Sequence, residues 1–371
     1  MGVIADLGVY LHFPWCRKRC PYCDFAVEVG DPPHEAYADA VLRELASRAA
    51  GFPGRLVSIY LGGGTPSLWS PAQIARVIAA IAARWDAPLA DLEITIEANP
   101  TDCEPANLTA WRAAGVNRVS IGIQSHDPAE LVVLGRDHRF GDGPAALARV
   151  IAHGGFTTSA DFILGTPTGA HTHTSWLAPV VATAVDHLSV YELTIEERTV
   201  FGRRARAGEL VPLDEDILTS LYVATHAALA VAGFEHYEIS SYARPGKRAV
   251  HNSLYWRGAA FLGLGVGAAS LQLGVAGDGI RATNPRRASE YLAQPGAPAE
   301  VVAIDPREMA IDRAWLGMRT RDGVAETDLP AQVVDELLRD QLAERCGVRI
   351  CPTLRGFLMA DRIAARVVQA M

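Results

Sequence analysis

The sequence lacks the features that mark membrane, secreted and nucleic-acid-binding proteins. Its most apolar stretch, residues 259–276, contains four glycines and a glutamine, so it predicts buried strands and a turn rather than a membrane span. No basic start followed by an apolar run is present, and we therefore expect no secretory signal. The 34 basic residues are outnumbered by 42 acidic ones, which argues against a nucleic-acid partner. These absences favour a cytoplasmic protein.

Cysteine is also scarce, and its distribution is uneven. The chain has six cysteines in 371 residues, and three of them, Cys16, Cys20 and Cys23, fall within eight positions. A disulfide framework would not bunch its cysteines in this way, whereas a tight group of thiols in a cytoplasmic protein is more often a metal site. The spacing C-x3-C-x2-C therefore predicts a metal centre near the N-terminus.

Short β-branched runs alternate with longer alanine-rich segments up to about residue 195. We predict strands at Val9–Phe13, Leu56–Leu61, Leu92–Glu97, Arg118–Gln124, Thr158–Leu164 and His187–Leu193. We predict helices at 33–50, 71–85, 105–113, 144–153 and 175–184. Six β-α repeats fit either a doubly wound sheet or a partial (β/α)6 barrel. Polar and glycine-rich residues follow nearly every strand, which favours the barrel because barrels build their sites along that whole rim.

The pattern changes after the sixth predicted strand. A helix is predicted near residues 214–231, and the sequence QPGAPA at 294–299 is typical of a linker. We therefore predict an α/β barrel core over residues 1–235, an extension of the barrel over 236–300, and a small, mainly helical C-terminal domain over 301–371. Length and composition leave the oligomeric state open.

The cysteine loop suits an iron–sulfur cluster. Three thiolates on one tight loop can each bind a different iron of a cubane, which leaves the fourth iron open to another ligand. The basic residues at positions 17–19 are expected to favour the thiolate form. Two alternatives stay open at this point: three ordinary buried cysteines, or a zinc site for which His12 is the only nearby fourth ligand.

Several further motifs accompany this loop. They are Y-x-H-x-P before the first cysteine, GGGTP at 62–66, EANP at 97–100, I-G-I-Q-S at 121–125 and D-x-x-x-G-x-P at 161–167. Together they resemble the radical S-adenosylmethionine (SAM) superfamily, and within it the branch related to oxygen-independent coproporphyrinogen oxidase. The resemblance implies a partial TIM-like barrel with a winged-helix-like C-terminal module. It also implies a 4Fe-4S cluster on Cys16, Cys20 and Cys23 whose free iron binds SAM; whether SAM is cleaved or only bound is left open.

The resemblance also implies which residues contact SAM. The residues expected to contact SAM are Tyr10, Tyr22, Gly63, Gly64, Thr65, Glu97, Gln124, Arg136 and Asp161. For the glycines and the glutamate, the residue type itself gives a physical reason for the role. A glycine lets backbone approach a ligand closely, and a glutamate offers two oxygens to the ribose hydroxyls. The alternative for the glycines is a plain turn, and for the charged residues a salt bridge at the barrel rim.

Two observations narrow the resemblance to one group of the branch. The decarboxylating enzymes carry a further cysteine two residues after the third, where this chain has Phe25. The segment 251–256 reads H-N-S-L-Y-W and matches the H-N-x-x-Y-W motif of the heme chaperone group, often called HemW. The resemblance implies heme contacts by His251, Asn252, Tyr255 and Trp256. Taken alone, the motif also fits a capped turn over a core.

The function implied by this resemblance is heme binding and transfer to an acceptor protein, which the sequence does not identify. A transient contact with a membrane protein is compatible with that role. The alternatives are oxidative decarboxylation by an oxygen-independent coproporphyrinogen III oxidase and a non-redox zinc scaffold. The chain departs from the group at Ala269, where a histidine is usual, at His126, where an aromatic is usual, and at His171 and His173. A second heme ligand at position 269 is therefore not expected.

Overall fold

The computed structural model describes residues 5–167 and 174–371. Its strands are β1 (Asp6–Phe13), β2 (Trp15–Cys16), β3 (Glu28–Val29), β4 (Arg55–Gly63), β5 (Glu93–Ala98), β6 (Arg118–Gln124), β7 (Thr157–Leu164), β8 (His187–Glu192), β9 (Glu235–Glu238), β10 (Ser241–Ala243), β11 (Ala260–Gly265), β12 (Ala269–Leu273), β13 (Gly279–Thr283), β14 (Glu300–Ile304), β15 (Val324–Ala325), β16 (Ala343–Cys346) and β17 (Arg349–Pro352). Its helices are α1 (His34–Arg48), α2 (Pro71–Arg84), α3 (Pro105–Ala113), α4 (Pro128–Val133), α5 (Asp142–His153), α6 (Ala178–Val181), α7 (Val200–Arg206), α8 (Glu215–Val231), α9 (Val250–Trp256), α10 (Ala288–Ala293), α11 (Pro306–Gly317), α12 (Ala331–Arg339), α13 (Leu354–Leu358) and α14 (Ala360–Ala370).

Twelve strands form one sheet in the order β14-β13-β12-β11-β1-β4-β5-β6-β7-β8-β10-β9. The six predicted strands are β1 and β4 to β8, which follow one another in parallel register with helical crossovers between them. Strand β11 adds a seventh parallel strand beside β1, and it comes from much later in the chain. The predicted partial β/α barrel is confirmed, and it is flanked on both sides by antiparallel strands.

The crossover helices form because their apolar residues recur at helical spacing. In α2, Pro71 occupies the first turn, and the fully buried residues Ile74, Val77, Ile78 and Ile81 lie on one face against the sheet. The barrel strands are apolar nearly throughout, as β1 illustrates with six buried residues out of eight. Burial on both sides leaves the carboxyl ends of the strands as the place where polar side chains gather.

The C-terminal part has a core of its own. It is built from α11, α12, α14 and the three-stranded sheet β15-β17-β16, with Leu337, Ile350 and Val367 fully buried or nearly so. Strand β14 pairs with β13 and belongs to the large sheet, although the sequence placed it in the tail. The division of the chain at residues 235 and 300 stays a prediction. No helix among the described residues has both the length and the apolar character that crossing a bilayer requires.

Candidate functional site

A cavity of about 340 Å³ opens at the carboxyl ends of the barrel strands. The cysteine loop follows β1 there, and the glycine-rich turn follows β4. Most residues predicted to bind the cluster or SAM line this cavity: Cys16, Cys20, Tyr22, Cys23, Gly63, Gly64, Thr65, Glu97, Gln124, Arg136 and Asp161. The structure therefore brings together residues that are up to 145 positions apart in sequence.

The cysteine loop is held by hydrogen bonds to its sulfur atoms and its backbone. The Thr65 hydroxyl donates to Cys16 Sγ at 3.4 Å, and Arg136 Nη1 donates to Cys20 Sγ at 3.7 Å. The Cys23 amide donates to the Cys20 carbonyl at 3.2 Å, which closes a tight turn. All three thiols are free and partly exposed to the cavity.

Part of the positive charge next to the thiols comes from Arg136, which the sequence analysis did not name for this role. Burial raises the pKa of Cys16 to about 11, and the cation that opposes this effect is Arg136. Arg17 instead forms an ion pair with Asp102 at 2.5 Å, away from the sulfur atoms. Of residues 17–19, Arg19 acts as expected, because its charge lowers the pKa of Cys23 against the effect of burial.

The donor set suits a four-iron cluster, because a cubane with one open iron takes three thiolates and three cysteines line this cavity. Among the described residues, no three His, Cys, Asp or Glu side chains are grouped so that they could hold one ion. His12, the candidate fourth ligand for zinc, donates through Nε2 to the Ala26 carbonyl at 2.9 Å and accepts at Nδ1 from Tyr10 at 3.0 Å. Both of its nitrogens are used inside the barrel.

The glycine-rich turn lies close to the backbone that leads into the cysteine loop. A Cβ atom on Gly64 would stand 2.6 Å from the Pro14 carbonyl oxygen and 2.9 Å from that of Trp15. Gly63 has a φ of +113°, in the region that favours glycine. Side chains are therefore excluded at both positions, and backbone groups are left facing the cavity.

Glu97 sits in the cavity wall with both carboxylate oxygens engaged. Tyr60 donates to Oε1 at 2.7 Å, and the Gly63 amide donates to Oε2 at 3.0 Å. Burial raises the pKa of Glu97 to about 7, although these two hydrogen bonds act to lower it. The carboxylate keeps lone pairs for hydroxyl donors, and its position suits recognition of a ribose.

The raised pKa of Glu97 makes stability depend on pH. Between about pH 4.5 and 7 the unfolded chain has released this proton while the folded chain still holds it, so stability falls as pH rises through that window and levels off above it. Glu97→Gln should remove this pH dependence. We expect the change in unfolding free energy across the window to be about 2 kcal/mol, which is less than the full pKa shift would give because solvent in the cavity screens the carboxylate. Anaerobic urea unfolding from pH 4.5 to 8 measures it. Glu209→Gln, at an exposed site, should give a curve of unfolding free energy against pH that is parallel to that of wild type. The prediction fails if the curve of Glu97→Gln is parallel to it as well.

Arg136 connects the cysteine loop with two barrel strands. Besides its contact with Cys20, it donates through Nη2 to Asn99 Oδ1 at 2.6 Å and to the Gly122 carbonyl at 3.1 Å. Gln124 ends β6 with a φ of +67°, which is uncommon for a residue with a side chain. Asn99 also lines the cavity, and the sequence analysis missed it even though it belongs to the quoted EANP motif.

Asp161 and Tyr22 lie on the remaining walls of the cavity. Ser120 donates to both oxygens of Asp161 at 3.0 Å, and burial raises the pKa of that carboxyl group. The Tyr22 ring packs 6.3 Å from the Phe201 ring, between their centroids. Phe25, which stands where the decarboxylases have a cysteine, also lines the cavity and is 61% exposed.

Tyr10 is the one predicted SAM residue outside the cavity wall. Its ring stacks on Tyr60 at 6.1 Å and lies 6.4 Å from the His251 ring, in the interior of the barrel. It is linked to the cavity wall through Tyr60, which hydrogen-bonds Glu97, and through His12, whose ring lies against Gly63. The side chain of a strand residue points to one face only, and register places Tyr10 opposite Tyr60 in the same layer.

The H-N-S-L-Y-W segment forms helix α9 at the other end of the barrel. Glu93 caps this helix by accepting from the amides of Val250 at 3.0 Å and His251 at 2.9 Å. The His251 side chain is buried and hydrogen-bonds Ser58 at 2.9 Å and Tyr255 at 2.8 Å, one through each ring nitrogen. Burial lowers the pKa of His251 to about 3. An iron-ligand role for this histidine would require one of its ring nitrogens to leave its present partner, and that role stays a prediction.

The positions at which this chain differs from the heme chaperone group lie in different environments. Ala269 is exposed at the start of β12, which pairs with β11. The His126 ring packs 5.3 Å from that of Phe162, between centroids. His171 and His173 lie outside the described residues.

Comparison with known proteins agrees with this geometry. The family model of the Radical SAM superfamily matches residues 10–169. The "Heme chaperone HemW" of Mycobacterium tuberculosis is 35% identical over 96% of this chain and 93% of its own length, and that of Escherichia coli is 38% identical over 72% and 71%. The solved structure of coproporphyrinogen III oxidase (HemN) from Escherichia coli, a radical SAM enzyme, superposes with a TM-score of 0.80 at 22% identity, covering 98% of this chain and 90% of that one.

These matches define the class of protein. A three-cysteine loop at the mouth of a partial β/α barrel, with the fold of HemN, places the chain in the radical SAM superfamily. Identity over nearly its whole length shows that, within this superfamily, it belongs to the HemW family. The resemblance inferred from the motifs is therefore confirmed.

Proposed function

We propose that this protein is a heme chaperone that binds heme, passes it to an acceptor protein and carries a SAM-coordinated 4Fe-4S cluster. The observation that carries the proposal is 35% identity to a protein named as a heme chaperone over 96% of the chain. Phe25 in place of the additional cysteine of the decarboxylases supports it. The free thiols suit a reducing compartment, so the proposal places the protein in the cytoplasm.

Each cavity residue has a role in this proposal. Cys16, Cys20 and Cys23 hold the cluster, which when bound supplies an electron and an open iron position for SAM. Arg136 donates to Cys20 Sγ and offsets negative charge on the sulfur atoms. Glu97 accepts hydrogen bonds from the ribose hydroxyls, and the glycines of the turn at residues 62–66 let its backbone approach the methionyl end closely.

The test of the proposal is heme binding by the anaerobically purified protein with its cluster. We expect a Soret band that saturates near one heme per chain, and loss of that band to apomyoglobin added as an acceptor probe. Iron and sulfide are measured on the same sample. The proposal fails if heme titration gives no Soret band.

Coproporphyrinogen III oxidase is the alternative, and the fold shared with HemN is the observation that favours it. The discriminating assay supplies coproporphyrinogen, SAM and dithionite to the same preparation. We expect no protoporphyrinogen. Its formation would overturn the chaperone assignment in favour of the decarboxylase.

A further inference from the structure

A second cavity, of about 920 Å³, lies at the opposite end of the barrel. Its walls are the first residues of β1 and β4, helix α9, helix α11 and the loop before β15. Strand β1 has eight residues, so at about 3.3 Å per residue this cavity lies roughly 25 Å from the cysteine loop. Its volume is in the range of natural sites for small organic ligands.

Helix α9 divides the H-N-S-L-Y-W segment between two environments. His251 and Tyr255, four residues apart, face the barrel interior and hydrogen-bond each other. Val250, Ser253 and Trp256, each three residues apart, lie on the other face and line the second cavity. Helical periodicity therefore presents the tryptophan of the motif, and not the histidine, to a space that can hold a ligand.

The second cavity combines apolar surface with guanidinium groups. Its apolar wall comes from Val57, Trp256, Ala310, Ala314 and Val324. Its charged wall comes from Arg55, Arg248, Arg257, Arg313 and Arg349, together with Asp6, Asp322 and Asp328. Such a lining suits a flat apolar molecule that carries negatively charged groups at one edge.

Three of the five arginines are engaged within the protein. Arg55 pairs with Asp6 at 2.7 Å, Arg248 pairs with Asp322 at 2.9 Å, and Arg349 donates to the carbonyls of Asp322 at 2.6 Å and Gly323 at 2.7 Å. In the part of the chain that the structure describes, neither Arg257 nor Arg313 forms an ion pair, and Arg257 donates through Nε alone to the Ser253 carbonyl at 3.1 Å. The two stand side by side, because the stem of Arg313 packs over Gly258, the residue after Arg257.

We propose that the second cavity is the heme site, with the porphyrin ring against Trp256 and the propionates on Arg257 and Arg313. The proposal rests on the proposed heme chaperone function and locates its ligand. Arginine binds carboxylates through two parallel hydrogen bonds, and a tryptophan face packs well on a large planar ring. Both features of the ligand are thus matched by neighbouring side chains.

The second cavity has few side chains that could bind the iron of a heme. Among the described residues that line it there is no histidine, cysteine or methionine. The Tyr237 hydroxyl is already hydrogen-bonded to His187 at 2.8 Å and to the Ala249 amide at 3.2 Å. Heme is therefore held by its ring and propionates, an arrangement that leaves the iron free for ligands on an acceptor protein.

The experiment compares three porphyrins on the full-length protein with its cluster. Wild type should bind heme and metal-free protoporphyrin IX with dissociation constants within about threefold of each other, because no iron bond contributes. Arg257→Gln/Arg313→Gln should weaken both at least ~10-fold, as expected for two lost charge-assisted contacts. The dimethyl ester of protoporphyrin should bind weakly to wild type and be insensitive to the double substitution.

The matched control is Arg339→Gln/Arg362→Gln, which alters two exposed arginines of the C-terminal part that do not line the cavity. It should bind all three porphyrins as wild type does, and iron content and thermal unfolding check that each variant is folded. If wild type binds no heme, the chaperone function itself fails. If wild type binds heme but the arginine variant binds it equally, or if metal-free protoporphyrin does not bind, the function stands and this site is overturned.

Discussion

Replacing Cys20 with alanine should abolish the iron–sulfur chromophore. The substitution leaves two thiolates where a cubane with one open iron needs three, and it removes the sulfur to which Arg136 donates at 3.7 Å. We expect iron and acid-labile sulfide per chain to fall at least ~10-fold after anaerobic purification, with loss of the visible absorbance. Cys16→Ala and Cys23→Ala should give the same result, because all three thiols line one cavity.

Cys103→Ala is the control for the loss of a thiol. Cys103 is completely buried, and its Sγ lies 3.6 Å from the Asn99 carbonyl, so its replacement should cost about 1 kcal/mol of stability and no iron. Cys346 and Cys351 lie in the C-terminal sheet, and alanine at either position should also keep the chromophore. Full iron in Cys20→Ala, or a loss of iron in Cys103→Ala, would contradict the assignment of the cluster.

Gly64→Ala should have the second largest effect, on both stability and SAM binding. The new methyl group would stand 2.6 Å from the Pro14 carbonyl oxygen and 2.9 Å from that of Trp15, so the backbone leading into Cys16 must move. We expect a loss of about 2–3 kcal/mol in unfolding free energy. SAM affinity, measured by anaerobic calorimetry on the protein with its cluster, should fall at least ~10-fold because the turn no longer approaches its ligand closely.

Gly208→Ala provides the comparison for a methyl group added without a clash. Gly208 has a φ of +74° and open space around the position of a Cβ atom, so alanine there should cost only about 1 kcal/mol. Its SAM affinity should equal that of wild type. The steric account of the turn is wrong if the two alanine variants bind SAM equally well.

The barrel strands could be predicted because their signal is local. Each is a short β-branched run between turn residues, and β6 was predicted with the bounds that the structure has. Strand β11 was not placed beside β1, because its partner lies about 250 residues earlier and pairing at that distance leaves no mark on a single sequence. Helix α7 was missed as well, since glycine and three arginines dominate its seven residues.

The site was predictable where its residues form contiguous motifs. The cysteine loop and the glycine-rich turn were located for that reason, whereas Tyr60 and Ser120, which hydrogen-bond Glu97 and Asp161, belong to no motif. Helix α9 shows a different limit of motif reading, because His251 and Trp256 of one motif lie on different faces of the helix. A sequence motif does not show which residues share a face, whereas in a helix each residue is rotated by 100° from the one before it, so neighbouring residues of the motif point in different directions.

The separate core of the C-terminal part bears on how a porphyrin would enter the second cavity. The contacts across that boundary include the Arg248–Asp322 pair, the hydrogen bond from the Arg321 amide to the Tyr237 carbonyl, and a small apolar cluster of Leu271, Ile304 and Met309. Exposed ion pairs contribute little individually, so the apolar cluster is the stronger of these links between the two cores. On the proposed heme function, cargo would enter and leave by separation of the two cores at this boundary, without unfolding of either.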